Sequence, residues 1–372
     1  MVIERYLAKE VLQTLLAVLL VLLLIFLGRF FAMYLGDAIA GRISAGIVMD
    51  LLLLQTIAAL SMMFPFALYV AVILAFGRLY KDSEMVAMAA CGIDLGRVLR
   101  TVLAIGSVVG LLVAGFSLWS TPWAHEQSTQ VREQAATANP FTAVSEGRFN
   151  RIGSSDRVFY VARLSDDHSE LREVFVSDSR DGRLTVYSAS SGYRYRDPGS
   201  GVQYLVLVDG QRYEGTPGKA DFKISRFAKN AVRLDESERE TLERRLWAIP
   251  SSRLWNSSLP QEVAELQWRL SMPLAAVLLA VLGALLSRAS PRQGRYGKLF
   301  IALLAFVLYY NTLGVAKNWV ERGLVPPELG LWWVHVMLLL VLGWLGTRQY
   351  GWLWLRDRLS GRVSLRTVGN RP

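Results

Sequence analysis

Residues 101–140 read TVLAIGSVVGLLVAGFSLWSTPWAHEQSTQVREQAATANP, and the hydrophobicity of the chain breaks inside them. From Thr101 to Trp123 there is no charged residue; Glu126, Arg132 and Glu133 follow at once. The apolar half is long enough to cross a bilayer, which takes about 20 residues. Outward from this break, further apolar runs cover Val11–Leu35 and Ile47–Gly77 on one side. On the other lie Leu266–Ser287, Leu299–Val320 and Leu331–Tyr350. The block between spans three and four is polar and strand-patterned. The expected fold is therefore an α-helical membrane protein with six transmembrane helices and an all-β, jellyroll-like domain inserted between helices 3 and 4. The expected boundaries are 1–123, 124–260 and 261–372.

A hydrophobic fraction of 52% and a mean hydropathy of +0.30 suit a membrane protein with a sizeable polar part. The net charge of +10 does not read as a nucleic-acid surface, because it is not in the polar block. Residues 124–260 hold 20 Lys and Arg against 19 Asp and Glu. The excess lies at Arg5, Lys9, Arg78, Lys81, Arg97, Arg100, Arg288, Arg292, Arg295, Lys298 and the tail, at alternate ends of the spans. The positive-inside rule makes those ends cytoplasmic, puts both termini inside and places residues 124–260 on the other side. The N-terminal apolar run is too long for a cleaved signal sequence and reads as a retained span.

The polar block alternates with a period of two, in candidate strands 147–152, 157–164, 171–177, 184–195, 202–208, 211–215 and 222–234. Asp181-Gly182, Asp197-Pro198-Gly199 and Asp209-Gly210 are turn sequences: Gly accepts positive φ and Asp bonds its own backbone. Val158 and Tyr160, Val174 and Val176, and Tyr204, Val206 and Val208 form apolar rows. These rows fit either a closed core or a groove for a lipid chain. Residues 235–247 look helical.

No GxxxxGK[ST], HExxH, GxSxG or CxxC occurs. His125, His168 and His335 have no metal-ligand spacing, and Cys91 stands alone. The chain is not read as an enzyme, carries no cofactor of its own, and needs another subunit to supply energy. Tyr80 to Gly92 reads as a short surface helix near 81–91, started by Asp82 or Ser83 and ended by Gly92. Glu84 suits its first turn, and Met85, Met88 and Ala89 share a face. It is either a helix lying on headgroups or a docking helix, with Glu84 as anchor and adaptable Met side chains. Arg29 inside span one either snorkels or meets an anionic headgroup. Arg42, Lys317 and Arg322 add cations at the same level, a set suited to a phosphate-bearing substrate. Gly106 and Gly110 form a GxxxG in span three, and Pro65 and Pro273 fall within spans.

The order of these parts resembles the LptF/LptG permease family of the bacterial lipopolysaccharide exporter, across essentially the whole chain. The stretches that carry the resemblance are Arg5-Tyr6-Leu7 with Glu10, Gly77-Arg78-Leu79-Tyr80, Ser83-Glu84 and Ala90-Cys91-Gly92. Arg212-Tyr213-Glu214-Gly215-Thr216, Glu265-Leu266 with Trp268-Arg269, and Pro291-Arg292-Gln293-Gly294-Arg295 add to them. The start and the last loop are similar to the LptF branch more than to LptG. The resemblance implies a bacterial inner-membrane permease paired with the paralogue LptG, with a dimer of the ATPase LptB that binds the ATP, and with LptC. Lipopolysaccharide would enter between spans one and five and rise into a periplasmic jellyroll. Glu84 would match the glutamate that docks in the ATPase, with Ser83, Met85 and Met88 around it. Lys317 would face the substrate cavity, and Arg29 lies where members tend to carry cations. A further cation position falls at Met33 here. Val158, Tyr160, Val174, Val176, Tyr204, Val206 and Val208 would line the lipid groove. The other reading is a non-transporting scaffold or sensor with a periplasmic binding domain. Against it, the chain has only short loops and a basic tail on the inner side. A membrane enzyme would need clustered titratable groups, and another ABC exporter would differ in span number or domain placement.

Overall fold

The computed structural model describes residues 2–39, 43–138, 147, 149–151, 158–165, 170–180, 183–196, 203–219, 221–233, 246–288 and 295–350. The chain divides into two compact units. One comprises 1–24, 57–122 and 250–372; the other comprises 25–56 and 123–249.

The helices are α1 (Val2–Ile39), α2 (Val48–Lys81), α3 (Glu84–Ala90), α4 (Leu95–Gly115), α5 (Thr121–Ala138), α6 (Ser251–Leu254), α7 (Pro260–Leu286), α8 (Arg295–Glu321) and α9 (Trp332–Tyr350). A π-helical turn, Phe116–Ser120, joins α4 to α5. Among the described residues, five helical stretches are long and apolar enough to cross a membrane: Val2–Ile39, Ala45–Lys81, Gly96–Ala135, Pro260–Leu286 and Leu299–Glu321. α9 is a shorter apolar helix. Its 19 residues, at about 1.5 Å each, come near the thickness of a hydrocarbon core. The chain is a multi-pass membrane protein.

In the first unit α7 is the hub. Gly106 and Gly110 of α4 lie against it so closely that a Cβ on Gly110 would come within 3.1 Å of the Pro273 carbonyl. On another side, a Cβ on Gly283 would meet the Tyr69 carbonyl of α2 at 3.1 Å. The GxxxG is thus a packing face, as small residues at a helix contact should be. Pro65 and Pro273 remain inside single helices. A proline has no N–H for the carbonyl four residues back. For Pro273 that carbonyl is Arg269 O, and the Ser117 hydroxyl, from the π-helical turn, donates to it at 2.9 Å. The freed acceptor is satisfied within the bundle, which the bilayer would not do.

Among the described residues of the second unit, six strands form one antiparallel sheet in chain order: β1 (Phe149–Arg151), β2 (Val158–Leu164), β3 (Glu170–Arg180), β4 (Arg183–Arg196), β5 (Gln203–Gly215) and β6 (Lys223–Arg233). The expected all-β domain is there, built as a meander. The expected strands 202–208 and 211–215 are one strand, β5, because Asp209-Gly210 does not turn the chain. Asp209 takes φ +52 and the strand continues. A Cβ on Gly210 would sit 2.5 Å from the Ser188 carbonyl and 2.7 Å from the Phe227 ring, so only glycine fits there. Glu173, with φ +53, lies on the same transverse line, between Val174↔Ala189↔Gly210 and Arg172↔Ser191↔Val208. Along β3 the buried positions slip by one residue at this line, from Val174 and Val176 to Leu171. Asp181-Gly182 and Asp197-Pro198-Gly199 lie outside the described residues, as does 235–245 of the expected helix.

Candidate functional site

Three of the stretches that carry the family resemblance, Arg5-Tyr6-Leu7 with Glu10, Gly77-Arg78-Leu79-Tyr80 and Ser83-Glu84, meet in the helical unit. Tyr6 and Glu10 lie one turn apart on α1, so their side chains point the same way. The Tyr6 hydroxyl donates to Glu84 Oε2 at 2.7 Å, and Glu10 is ion-paired with Arg78. Leu7 and Leu79 are buried beneath this pair of contacts. The ends of α1 and α2 and the start of α3 are therefore joined by two polar links over an apolar floor.

α3 does not begin as expected. Ser83 occupies the cap position with φ +63 and makes no side-chain cap bond, and Asp82 is exposed. Glu84 is held by Tyr6 instead. Met85 is 7% exposed and belongs to the bundle core, with Met88 packed against that core. These two methionines fasten the helix to the membrane domain, so they are not its outward face. That face carries Val86, 59% exposed, with Ala87, Ala90 and the free thiol Cys91. Periodicity shows which residues share a face; it does not show which face is covered.

The second cluster lies at the α7–α8 contact. Arg269 is 2% exposed; its Nε donates to Glu265 Oε1 at 3.0 Å and an NH group donates to Ser251 Oγ at 2.9 Å. Ser251 Oγ in turn donates to the Leu118 carbonyl at 2.6 Å. The other oxygen of Glu265 receives Lys317 Nζ at 2.7 Å. Lys317 also sits over the Trp268 ring at 5.2 Å and 3.7 Å from Glu321. Lys317 is thus ion-paired. Sequence reasoning missed Glu265 as its partner; the signal was an acid and a base four residues apart, Glu265 and Arg269, at the entry to span four. Arg322 is exposed just beyond. Arg29 is exposed on α1 in the other compact unit, and Arg42 lies outside the described residues. Within the same helical unit, buried His335 bridges Tyr309 and Ser271 at 2.9 and 3.0 Å; in the other unit, His125 makes a tilted ring contact with Trp247 at 5.3 Å. His168 lies outside the described residues. Among the described residues no group of three His, Cys, Asp or Glu is placed to hold a metal.

On the sheet, the seven residues read as a lipid groove do not share a face. Val174 and Val176 join the buried cluster with Phe159, Val161, Leu171, Ala189, Leu205, Leu207 and Val232. Val158 and Tyr160 alternate with Phe159 and Val161, and Tyr204, Val206 and Val208 alternate with Leu205 and Leu207, so they point to the opposite, half-buried side. Both sides of β2 and β5 are apolar, and a period of two alone does not choose between them. An open cleft of about 710 Å³ lies along the line of Glu173 and Asp209, with Phe149, Tyr160 and Phe175 on its walls. In the turn between β5 and β6, the Asp221 carboxylate accepts the Thr216 N–H at 2.9 Å and its hydroxyl at 3.0 Å. These bonds hold Asp221 below its ordinary value of 3.8.

Residues 5–348 match the family described as lipopolysaccharide export system permease LptF/LptG. The chain belongs to the LptF/LptG family. It is similar to the lipopolysaccharide export system permease protein LptF of Escherichia coli K12, with 29% identity over 351 residues, 91% of this chain and 93% of that protein. The LptF proteins of Escherichia coli O157:H7 and Shigella flexneri match to the same extent. As a member of this permease family the chain is a transport subunit. Its family-bearing residues are now placed: Tyr6, Glu10, Arg78 and Glu84 in one polar junction, and Glu265, Trp268 and Arg269 in the other.

Proposed function

We propose that this chain is one permease subunit of an ABC transporter that extracts lipopolysaccharide from the outer leaflet of the bacterial inner membrane. It passes the lipid through the β domain toward the outer membrane. The observation that carries this reading is the junction of α1, α2 and α3: a short helix stapled to two spans, with Glu84 fixed by Tyr6 and Val86 presented outward. A separate ATPase of the LptB kind docks on that face, and its closure moves α1 and α2 through the Tyr6–Glu84 and Glu10–Arg78 links. The paralogue LptG pairs with it, and LptC joins the assembly. α1 and α8 carry long exposed apolar faces, among them Leu16, Leu20, Leu24, Phe300, Leu304 and Leu308, which suit lipid or a second permease. The distribution of Lys and Arg supports cytoplasmic termini and a periplasmic β domain. Lys317 and Arg322 lie near the outer end of span five, where headgroup phosphates would be. The lipid chains enter among the inner apolar side chains Phe159, Val174, Val176 and Leu207, which are buried against one another until the sheet opens.

Purification from detergent tests this. An ATPase and a second permease chain co-purify with the wild-type protein, and Glu84→Ala lowers the ATPase yield while the permease pair stays intact. Undiminished ATPase in the Glu84→Ala preparation would remove α3 as its docking site.

A further inference from the structure

We propose that Glu265 is a positioning residue that holds the Lys317 ammonium against α7 and yields it to an anionic lipid headgroup. The inference rests on the reading that Lys317 meets headgroup phosphate, and adds what controls it. Glu265 has two oxygens and two basic partners, and these are unequal. Arg269, on the same helix, is buried and anchored through Ser251 to the Leu118 carbonyl. Its planar guanidinium has no other place to go. Lys317 belongs to α8, is 17% exposed, and ends a flexible four-carbon stem. If Lys317 leaves, Glu265 keeps Arg269 and no buried charge is stranded. If Arg269 left, a cation would be bare in the bundle. Lys317 is therefore the exchangeable partner.

The charge count agrees. Glu265, Arg269, Lys317 and Glu321 sum to zero, so the closed cluster offers an anion no net attraction. A phosphate and the Glu265 carboxylate compete for one ammonium. Because the Glu265–Lys317 pair joins α7 to α8, the exchange also removes their ion pair and leaves the Trp268–Tyr310 ring contact beside it. Headgroup capture and loss of that polar tie become one event, with Glu265 setting the threshold.

The test uses the full chain with its co-purified partners in nanodiscs, titrated with bisphosphorylated lipid A and, for comparison, monophosphoryl lipid A. Glu265→Gln binds bisphosphorylated lipid A about tenfold tighter, the gain expected if Lys317 is free about one-tenth of the time in the wild type. Adding Lys317→Met abolishes the gain, and the monophosphoryl form shows a smaller one. Glu265→Gln/Arg269→Gln, which leaves no stranded cation, gives the same gain and serves if the single variant does not fold. Lys317→Met weakening binding while neither Glu265 variant tightens it would overturn the latch and keep the headgroup role. If neither Lys317→Met nor the Glu265 variants alter binding, the headgroup role itself fails and the latch with it.

Discussion

Tyr6 and Glu84, 78 positions apart in sequence, are joined by a 2.7 Å hydrogen bond between a phenol and a carboxylate. The contact ties the first turns of α1 to the first residue of α3. Tyr6→Phe keeps the ring and removes the donor. Such a bond to a charged acceptor contributes about 1.5–3 kcal/mol at most, and less at an exposed site. The protein should fold normally, and ATP-driven lipopolysaccharide release by the co-purified complex should fall below wild type. Release equal to wild type would show that the bond does not couple the two sides.

Ser117 and Pro273 make a second pair. Pro273 leaves Arg269 O without its helical donor, and Ser117 supplies one. Ser117→Ala strands a buried acceptor and should cost about 1–3 kcal/mol. A lowered melting midpoint in detergent checks this. The double variant Ser117→Ala/Pro273→Ala should recover most of the loss, because the helix N–H at 273 is restored.

The α4–α7 contact has no room to spare. Gly110→Leu would drive a side chain into the Pro273 carbonyl and the Val277 methyl, where a Cβ alone reaches 3.1 and 3.3 Å. Overpacking of this kind costs about 1–3 kcal/mol or more. Gly115→Leu, at a position with open space, is the control and should leave the melting midpoint unchanged. Equal loss in both would mean that the close approach does not matter.

Asp221 gives a pH signature. Its folded value is depressed, so its contribution is present at pH above the ordinary 3.8 and is lost as pH falls through the lower folded value. Amide exchange at Thr216 should be slow at neutral pH and should speed up below about pH 4 beyond the intrinsic trend. Asp221→Asn should remove that pH dependence.

The spans, the inserted β domain and the packing role of Gly106 and Gly110 were legible in sequence, because each rests on a local period or spacing. What was not legible depended on long-range partners. The spacing puts Met85 and Met88 on one face of α3, and the bundle covers that face. The period of two does not tell whether Val158, Tyr160, Tyr204, Val206 and Val208 face inward, because β2 and β5 are apolar on both sides. Asp209-Gly210 has the composition of a hairpin turn and serves as a kink, since a positive φ suits both. Nothing local to Lys317 marks it as paired, because its partner Glu265 lies 52 positions away, on another helix.

The most direct measurement of the central claim is lipopolysaccharide release from proteoliposomes to a soluble acceptor, with and without ATP. The chain reconstituted with its co-purified ATPase and second permease should release lipopolysaccharide only with ATP, and the chain alone should neither hydrolyse ATP nor release lipid. Release or hydrolysis by the isolated chain would contradict the account.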